Sequence, residues 1–466
     1  MASAVGHTWP MRTLLVFYFL LLPFQWALSP APGFDVAIIR VGTIVLFGTW
    51  LLVGLVRRDI RLSLGFTSGA LLTFLLLAIL SILWSESEAF ALRKSIFLLN
   101  FLPLFFVLAD IFSREERARQ LVVRTVVLGA TALGGVAILL FVAQFVFGVS
   151  AMVTFLSWLL PWFLGGTFGE AVVTHSSFLV NISGITLLRA TGVLPDPHML
   201  AFFMGMTAPL ALALSFLKPS QSTFYRLAFG VLFIADLLTF SRGGYVGLLC
   251  GGLLFLIVAR KSLFSPATVK RGLVVALLLF LVLAVTPIGE RLSSSFSSAD
   301  GSNQERLRLW REGAVLIGER PLLGLGLGNY PLRVKPGALY REPIYAHNLY
   351  LDLVLELGLI GLGAFLLAVL TPGIHLLRRW KESRDPLALA VGISLAVFLT
   401  HAFFETPLFS VHILPLLLLL LALGVSYKHD TTHASSGDVL VSSRHDRTPP
   451  GGSPQVDSRW DSTVRP

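Results

Sequence analysis

A succession of long apolar runs constrains this chain more than any other feature of its sequence. About twelve runs are long enough, at roughly 17 to 25 residues, for an α-helix to cross a bilayer. Only 13% of the 466 residues are charged, about half the share expected of a soluble domain. The sequence therefore predicts an all-α polytopic membrane protein. The predicted spans are 12–28, 36–56, 64–84, 95–112, 121–148, 198–217, 224–241, 243–260, 271–288, 347–370, 386–404 and 408–426.

The spacing of these runs predicts four parts. Residues 1–288 would hold nine membrane helices, with an outer segment near 149–197. Residues 289–346 form a large polar loop, and 347–426 would hold the last three helices. Residues 427–466 have few apolar side chains, so we expect a disordered tail that cannot bury a core.

The positions of arginine and lysine predict the orientation of the helices, because short cytoplasmic loops are rich in these residues. If the N-terminus is cytoplasmic, every inner loop is basic, whereas the short outer loops hold only Arg93, Lys94 and Arg242. We therefore expect both termini in the cytoplasm and the segments 149–197 and 289–346 on the outer face. The inner basic residues are Arg57, Arg58, Arg61, Arg114, Arg117, Arg119, Arg124, Lys218, Arg226, Arg260, Lys261, Lys270, Arg271, Arg378, Arg379, Lys381 and Arg384.

Charge and cysteine content exclude two classes of function. The net charge of +10 would suggest a nucleic-acid partner in a soluble protein, but loop arginines that set topology account for most of it. We therefore expect no nucleic-acid partner. The single cysteine, Cys250, lies in an apolar run, which excludes a disulfide framework and a cysteine-based metal site.

Three arginines lie near the predicted outer membrane boundary, where the positive-inside rule disfavours them. They are Arg93, Arg189 and Arg242. Arg242 stands in a tight connection between two spans, directly before two glycines. It either extends to lipid phosphates or binds a diphosphate ligand through its planar guanidinium. The glycines favour the second interpretation, because they allow close approach of a helix or a ligand.

The large outer loop contains a predicted amphipathic helix. Ser302 and Glu305 form a capping-box pattern, and we expect the helix to continue to Ile317 along the membrane surface. Arg306 is the residue of this helix that could turn toward a site. The glycine run at 324–328 resembles a nucleotide-binding motif, but no strand is predicted before it, so we interpret it as a turn.

A polar cluster opens the tenth predicted span and is the strongest candidate for chemistry. His347 would lie at the membrane boundary, flanked by Tyr345 and Asn348. A boundary histidine usually has no catalytic role, but this one precedes two carboxylates inside the span, Asp352 and Glu356, which are costly in a membrane. Glu356 would lie too deep to reach an outer substrate, so we expect it to pair with a polar group within the bundle.

Two further acidic residues lie near predicted outer helix ends. Glu405, in the last outer turn, is placed to accompany His347. Asp196 and Pro197 fit the N-cap and the first turn of the sixth span. For Asp196 and His198 the sequence favours a structural role over a catalytic one.

Several of these segments together resemble the O-antigen ligase and O-antigen polymerase superfamily. These proteins are bacterial membrane glycosyltransferases, similar in fold to the GT-C type, that use undecaprenyl-diphosphate-linked glycans. The resemblance covers about residues 200–370 and implies a multi-pass protein of the inner membrane with a periplasmic active site. The matching pieces are Ser241-Arg242-Gly243-Gly244, Glu305-Arg306 with Trp310, the glycine run with Asn329, and His347-Asn348 followed by Glu356, Gly358 and Gly361.

The resemblance also implies roles for particular residues. His347 would act as the general base, and a direct displacement would invert the anomeric configuration. We expect neither a metal nor another cofactor, because no Asp-x-Asp or similar cluster lies on the predicted outer face. The expected diphosphate ligands are Arg242, Arg189, Arg306 and Arg93, and the expected supporting residues are Asn348, Glu405 and Tyr345.

The sequence leaves several functions open. A ligase passes the glycan to lipid A–core, whereas a polymerase of O-antigen or exopolysaccharide passes it to another carrier-linked repeat, and a protein O-oligosaccharyltransferase passes it to a protein. About twelve spans and one dominant outer loop favour the ligase. A solute transporter, from a different class, would also carry intramembrane carboxylates, but the sequence lacks detectable halves and paired broken helices.

Overall fold

The computed structural model describes residues 9–31, 34–62, 64–173, 176–182, 184–263, 301–340 and 344–435. Most of these residues are α-helical. The helices are α1 (Trp9–Leu21), α2 (Ile38–Arg57), α3 (Phe66–Leu80), α4 (Glu88–Phe101), α5 (Pro103–Arg114), α6 (Glu116–Phe147), α7 (Val149–Leu164), α8 (Gly166–Val173), α9 (Pro197–Leu217), α10 (Ser222–Leu237), α11 (Arg242–Leu263), α12 (Gly301–Glu319), α13 (Tyr330–Val334), α14 (Leu349–Ser383), α15 (Pro386–His401) and α16 (Ile413–Ser435).

Within the described residues, seven helical stretches are long and apolar enough to cross a membrane, and four shorter apolar helices accompany them. Large apolar side chains on the long stretches are exposed, such as Val56 at 76% and Leu83 at 81%. Lipid accommodates such a surface, whereas water disfavours it. The all-α polytopic membrane class is therefore confirmed. The number of spans stays a prediction, because the ninth predicted span, 271–288, lies outside the described residues.

Prolines account for two differences from the predicted spans. The first predicted span, 12–28, ends early, because α1 stops at Leu21 and a 3-10 turn, Leu22–Phe24, carries Pro23. The fourth, 95–112, is two helices, since α5 begins at Pro103 directly after α4. Proline lacks the amide proton that continues a helix but is well suited to a first turn.

Two short antiparallel hairpins, which the sequence did not predict, interrupt the helices. Strand β1 (Ala27–Ala31) pairs with β2 (Phe34–Ala37), and β3 (Leu179–Ile182) pairs with β4 (Ile185–Leu188). Alternate residues of β3 are buried, as expected for a strand with one covered face. The second hairpin lies in the predicted outer segment and leads directly into Arg189.

Helix α9 lies at the centre of the bundle. Of its most apolar stretch 78% is buried, more than in the other six long stretches, and it packs against α6, α10, α11 and α15. A Cβ added at Gly205 would lie 3.0 Å from Val397 and 3.1 Å from Asp236. This close packing brings the start of α9 beside the start of α11 and the end of α15.

Helix α12, in the predicted outer loop, differs from its prediction at its start. It already includes Gly301, so Ser302 lies inside the helix and the predicted capping box is wrong. Glu305 instead pairs with Arg308, one turn along the same helix. The helix also packs on α14, because a Cβ at Gly313 would lie 3.2 Å from the Leu355 side chain.

Helix α14 is broken at Gly358, whose φ of 69° and ψ of −174° are not helical. The segment that follows α12 fills the break with backbone hydrogen bonds. The Gly326 amide donates to the Glu356 carbonyl at 2.9 Å, and the Leu359 amide donates to the Pro321 carbonyl at 2.9 Å. These bonds satisfy groups that would otherwise lack partners inside a membrane.

The glycine run is therefore an ordered turn packed into α14. Gly324, Gly326 and Gly328 all have positive φ, which glycine adopts without steric cost. Among the described helices, this one break at Gly358 is not the pair of symmetrically placed broken helices that marks many transporters.

At the end of the chain, α16 continues past the predicted boundary at 427 as far as Ser435. The remainder of the predicted tail lies outside the described residues.

Candidate active site

Two loops meet at one end of the bundle, and a single carboxylate ties them together. Loop 344–348 precedes α14, and loop 402–406 follows α15. The Asp352 carboxylate accepts hydrogen bonds from the Ala346 amide, at 2.8 Å, and from the Thr406 hydroxyl. Asp352 therefore fixes the two loops relative to each other.

His347 and Glu405 face each other across these loops. His347 Nδ1 lies 3.0 Å from Glu405 Oε2. The histidine side chain is 30% exposed, whereas that of Glu405 is 4% exposed. The imidazole is therefore the accessible member of the pair, and the carboxylate is buried. His347 has a φ of 49°, which residues other than glycine rarely adopt. Such backbone strain concentrates at functional sites.

Arg306 of α12 reaches the same carboxylate from outside the bundle. Its Nη2 donates to Glu405 Oε1 at 2.9 Å. Burial alone would raise the pKa of the Glu405 carboxyl, but His198, His347 and Arg306 together hold that pKa well below its usual range. Glu405 is therefore an anion at neutral pH.

Two more histidines lie behind Glu405. His198 Nε2 is 3.6 Å from Glu405 Oε1, and its Nδ1 is 3.0 Å from Ser241 Oγ. The same hydroxyl lies 3.3 Å from His401 Nε2. A chain of polar contacts therefore runs from His347 through Glu405 and His198 to Ser241 and His401. The sequence favoured a structural role for His198, whereas the structure places it against the central carboxylate.

Arg242 is the first residue of α11 and is only 9% exposed. A Cβ on Gly243 would lie 2.5 Å from the His401 ring, and one on Gly244 would lie 2.8 Å from the Asp236 carboxylate. The expectation that these glycines permit close approach of a partner helix is confirmed, since α15 and α10 are the partners. Arg242 is thus a buried residue on a closely packed turn, directly after Ser241.

Arg189 holds that turn in place. Its Nε donates to the Thr239 carbonyl at 2.6 Å, and its Nη1 donates to the Ser177 carbonyl at 2.9 Å. The guanidinium therefore connects the end of the second hairpin to the turn that carries Arg242. A role in diphosphate binding stays a prediction.

Asp196 caps α9, as predicted, because its side chain accepts from the Met199 amide at 2.9 Å. Burial and then the negative charge of Glu405 raise the pKa of the Asp196 carboxyl to about 6, and Arg189 partly opposes this. Asp196 therefore lies within the electrostatic influence of both Glu405 and Arg189.

The neighbours of His347 have distinct contacts. The Asn348 side chain caps α14, accepting from the Tyr350 and Leu351 amides at 3.0 and 3.1 Å. The Tyr345 ring centroid lies 4.4 Å from that of His347. Both contacts restrict the position of the imidazole, Asn348 through the helix start and Tyr345 through the ring.

Arg93 makes its described contact elsewhere. Its guanidinium carbon lies 5.0 Å from the centre of the Tyr340 ring. The next residue, Lys94, donates to both oxygens of Glu356 at 2.9 Å. Glu356 therefore pairs within the bundle, as the sequence predicted. Of the four predicted diphosphate ligands, Arg306 contacts Glu405, Arg189 supports the turn that carries Arg242, and Arg93 lies beside the Glu356 pair.

Sequence reasoning missed Ser241 and His401 as parts of one contact network, and it missed the tie made by Asp352. One signal was present for His401, which lies inside an apolar run only four residues before Glu405. Burying a histidine there costs free energy unless its ring nitrogens form hydrogen bonds.

Metal binding has little support from the side chains. Within the described parts of the chain, no group of three or more histidine, cysteine, aspartate and glutamate residues is arranged to hold a metal ion. Metal independence nevertheless stays a prediction about the reaction.

The fold and the site define an all-α polytopic membrane protein with a histidine–carboxylate–arginine centre at one end of its helices. Residues 227–366 match the family model described as O-Antigen ligase. Over this region the chain is therefore similar to the O-antigen ligase family. The matched region includes Arg242, Arg306 and His347, whereas Glu405 lies beyond it.

Three similar proteins carry the name "Putative polysaccharide ligase". That of Rickettsia bellii is 34% identical over 156 residues, covering 30% of this chain and 36% of that protein. That of Rickettsia prowazekii is 26% identical over 175 residues, covering 36% and 43%. That of Rickettsia typhi is 29% identical over 140 residues, covering 28% and 34%. The chain thus spans less than half the length of these curated relatives.

Proposed function

We propose that this protein is an O-antigen ligase. It transfers a glycan from undecaprenyl diphosphate to a sugar hydroxyl of lipid A–core at the periplasmic face of the inner membrane. The observation that carries the proposal is the Glu405 centre, where His347 and Arg306 contact one buried carboxylate. Transfer needs a base for the acceptor hydroxyl and cations for the departing diphosphate, and this centre offers both. The family match over residues 227–366 supports the same conclusion.

Glu405 determines which nitrogen of His347 can act as the base. Because the carboxylate is an anion, the favoured tautomer carries its proton on Nδ1 and donates it to Glu405 Oε2. Nε2 is then free to accept the proton of the acceptor hydroxyl. The imidazolium that forms is stabilised by the adjacent carboxylate, as in a histidine–aspartate pair of a hydrolase.

The displacement balances without a covalent enzyme intermediate. The acceptor oxygen forms a bond to the anomeric carbon as the bond from that carbon to the diphosphate oxygen breaks. The proton goes to His347, and the electron pair stays on the diphosphate. A single displacement from the opposite face inverts the anomeric configuration.

The arginines stabilise the negative charge that develops on the leaving diphosphate. Arg306 keeps donors for this role, because its Nε is buried without a hydrogen-bond partner among the described residues. Phosphate oxygens are favoured ligands for such a planar donor group. Arg242 and Arg189 are the next candidates, and Arg93 is a fourth from the neighbouring cluster.

We expect transfer in purified membranes to survive exhaustive treatment with EDTA, because the arginines take the place of a divalent cation. The measurement is glycan transfer before and after chelation. Activity that is lost to EDTA and restored by Mg²⁺ or Mn²⁺ would contradict this part of the mechanism.

The surface polysaccharide of a strain that lacks this protein tests the proposed function. A ligase deletion removes long-chain lipopolysaccharide and accumulates polymerised glycan on the carrier. A core that carries a single repeat would instead assign the polymerase function. An unchanged profile would reject both functions.

A further inference from the structure

A polar pocket lies at the end of the bundle opposite the Glu405 centre. It has a volume of about 300 Å³ and is lined by Arg12, Arg117, Gln120, Leu121 and Arg124. Arg12 belongs to α1, and the other four belong to the first turns of α6. Three guanidinium groups therefore surround one open pocket between two helices.

The positive charge of this pocket is only partly neutralised. Arg12 pairs with Glu115 at the edge of the pocket. Arg117 and Arg124 have no acidic partner among the residues that the structure describes, and Arg124 Nε is buried without a hydrogen bond there. Burying an N–H donor of this kind costs free energy unless it donates a hydrogen bond. The pocket therefore presents N–H donors that an anion could accept hydrogen bonds from.

The position of these residues on α6 indicates where that anion comes from. Residues 117, 121, 124 and 128 recur at spacings of four, three and four and so share one helix face. Leu121 is 38% exposed and Leu128 is 45% exposed, so this face borders the lipid. The polar pocket therefore continues directly into an apolar surface, which is the order of groups in a phospholipid.

The pocket is remote from the proposed active site. Gln144, twenty residues after Arg124 on α6, donates to the Leu188 carbonyl next to Arg189. Twenty helical residues span about 30 Å. A ligand in the pocket therefore contacts none of the residues around Glu405, and it would lie in the opposite leaflet.

We propose that this pocket binds the phosphate group of an anionic phospholipid in the leaflet opposite the active site. Arg117 and Arg124 hold the phosphate oxygens, Gln120 and Arg12 border the headgroup, and the acyl chains run along Leu121 and Leu128. Basic pockets between helices at the cytoplasmic boundary are a recognised form of lipid binding site. This inference is independent of the proposed function.

Native mass spectrometry of the full chain, released from nanodiscs of equal phosphatidylglycerol and phosphatidylcholine, tests the proposal. We expect bound phosphatidylglycerol in excess over phosphatidylcholine. Arg117→Gln with Arg124→Gln should weaken this retention about thirtyfold, or about fivefold for each arginine. The matched control is Arg226→Gln, an exposed arginine of α10 that does not line the pocket, which should change retention by less than about twofold.

Two further measurements distinguish loss of the phosphate contacts from loss of folded protein. Arg124→Lys keeps the charge and should retain most of the bound lipid, and the unfolding midpoint of each variant in pure phosphatidylcholine should match that of the parent chain. Equal phosphatidylglycerol retention by the parent chain and the double variant would overturn the proposal. Displacement of the lipid by excess inorganic phosphate alone would also overturn it, because the ligand would then be a soluble phosphate.

Discussion

Glu405 and Glu356 are both buried carboxylates at the same end of the bundle, and each pairs with a cation, but their surroundings differ. Glu405 is contacted by two histidines and an arginine that come from three separate parts of the chain. Among the described residues, the Glu356 carboxylate pairs with Lys94, and the backbone carbonyl of Glu356 lies in the break of α14. One carboxylate organises titratable side chains, whereas the other neutralises a charge and anchors a turn.

This difference distinguishes a buried carboxylate that could take part in a reaction from one that stabilises the fold. An intramembrane carboxylate such as Glu356 is a functional candidate by default, whereas Glu405 lies in the loop after α15. What distinguishes Glu405 is a partly exposed histidine in contact with it, which would give a substrate access to a base. Glu356 has no such neighbour in its described contacts. The four experiments below test the comparison, beginning with the largest expected losses of transfer and ending with a variant expected to act on stability.

His347→Ala should reduce transfer by at least about 100-fold, because it removes the general base, whose contribution is typically 10²- to 10⁴-fold. Expression and binding of the carrier lipid should stay nearly normal, since no phosphate contact is lost. The measurement is glycan transfer by purified protein, with carrier-lipid binding as the control. Transfer above about a hundredth of the parent rate would reassign His347 to a structural role.

Arg242 tests whether the closely packed turn before α11 contributes a phosphate ligand. Arg242→Ala should lose essentially all transfer, and Arg242→Lys should lose most of it, about tenfold or more, because an ammonium lacks the planar fork. Correctly folded protein should still be recovered from both variants, as judged by size-exclusion chromatography. A Lys variant with near-normal transfer would mean that Arg242 only extends to lipid headgroups, and Arg189 or Arg306 would then be the principal ligand.

Exchanging each carboxylate for its amide compares the two clusters directly. Glu405→Gln should lower transfer about 10- to 100-fold, because a residue that orients another functional group typically contributes that much. Glu356→Gln should retain most transfer but lower the free energy of unfolding by roughly 1–3 kcal/mol, because Lys94 loses its charged partner. Equal losses of transfer in both variants would remove the distinction between a chemical and an architectural carboxylate.

Gly358→Ala tests the break in α14 beside the Lys94–Glu356 pair. A Cβ at this position would lie 2.1 Å from the Leu322 carbonyl oxygen, and its φ is 69°. We expect a loss of about 2–4 kcal/mol in the free energy of unfolding, from strain and steric conflict. Gly363→Ala is the matched control on the same helix, because nothing lies within 4 Å of its added Cβ. Comparable unfolding midpoints for the two variants would show that the break in α14 tolerates a side chain.

Much of the fold was predictable because a membrane helix can be recognised from the apolar residues of its own segment. Long apolar runs identified most helices, and Asp196 with Pro197 identified the start of α9. The failures were also local in origin: Pro23 and Pro103 ended or divided runs that composition alone left continuous. The short hairpins were missed because four-residue strands carry too little periodicity to stand out.

The candidate site was predictable only in part. The sequence singled out His347 for its polar company, Arg306 for its position in the loop helix and Glu405 for its place in the last predicted outer turn, and the structure brings these three together. Their roles in transfer stay predictions. His198 received a structural interpretation, since a helix cap explained its neighbourhood and nothing local linked it to a loop more than 200 residues away.

The sequence by itself determined the class of protein, the approximate positions of its helices, and the residue types available at their ends. These properties follow from transfer of each segment between water and lipid, which depends on the segment alone. The tertiary structure decided which helix ends meet. It joined His347 to Glu405, placed His198 and Ser241 behind them, and moved Arg93 to the cluster around Glu356. Such contacts depend on how α9, α11, α14 and α15 pack, and packing is a property of several segments at once that no single stretch of sequence encodes.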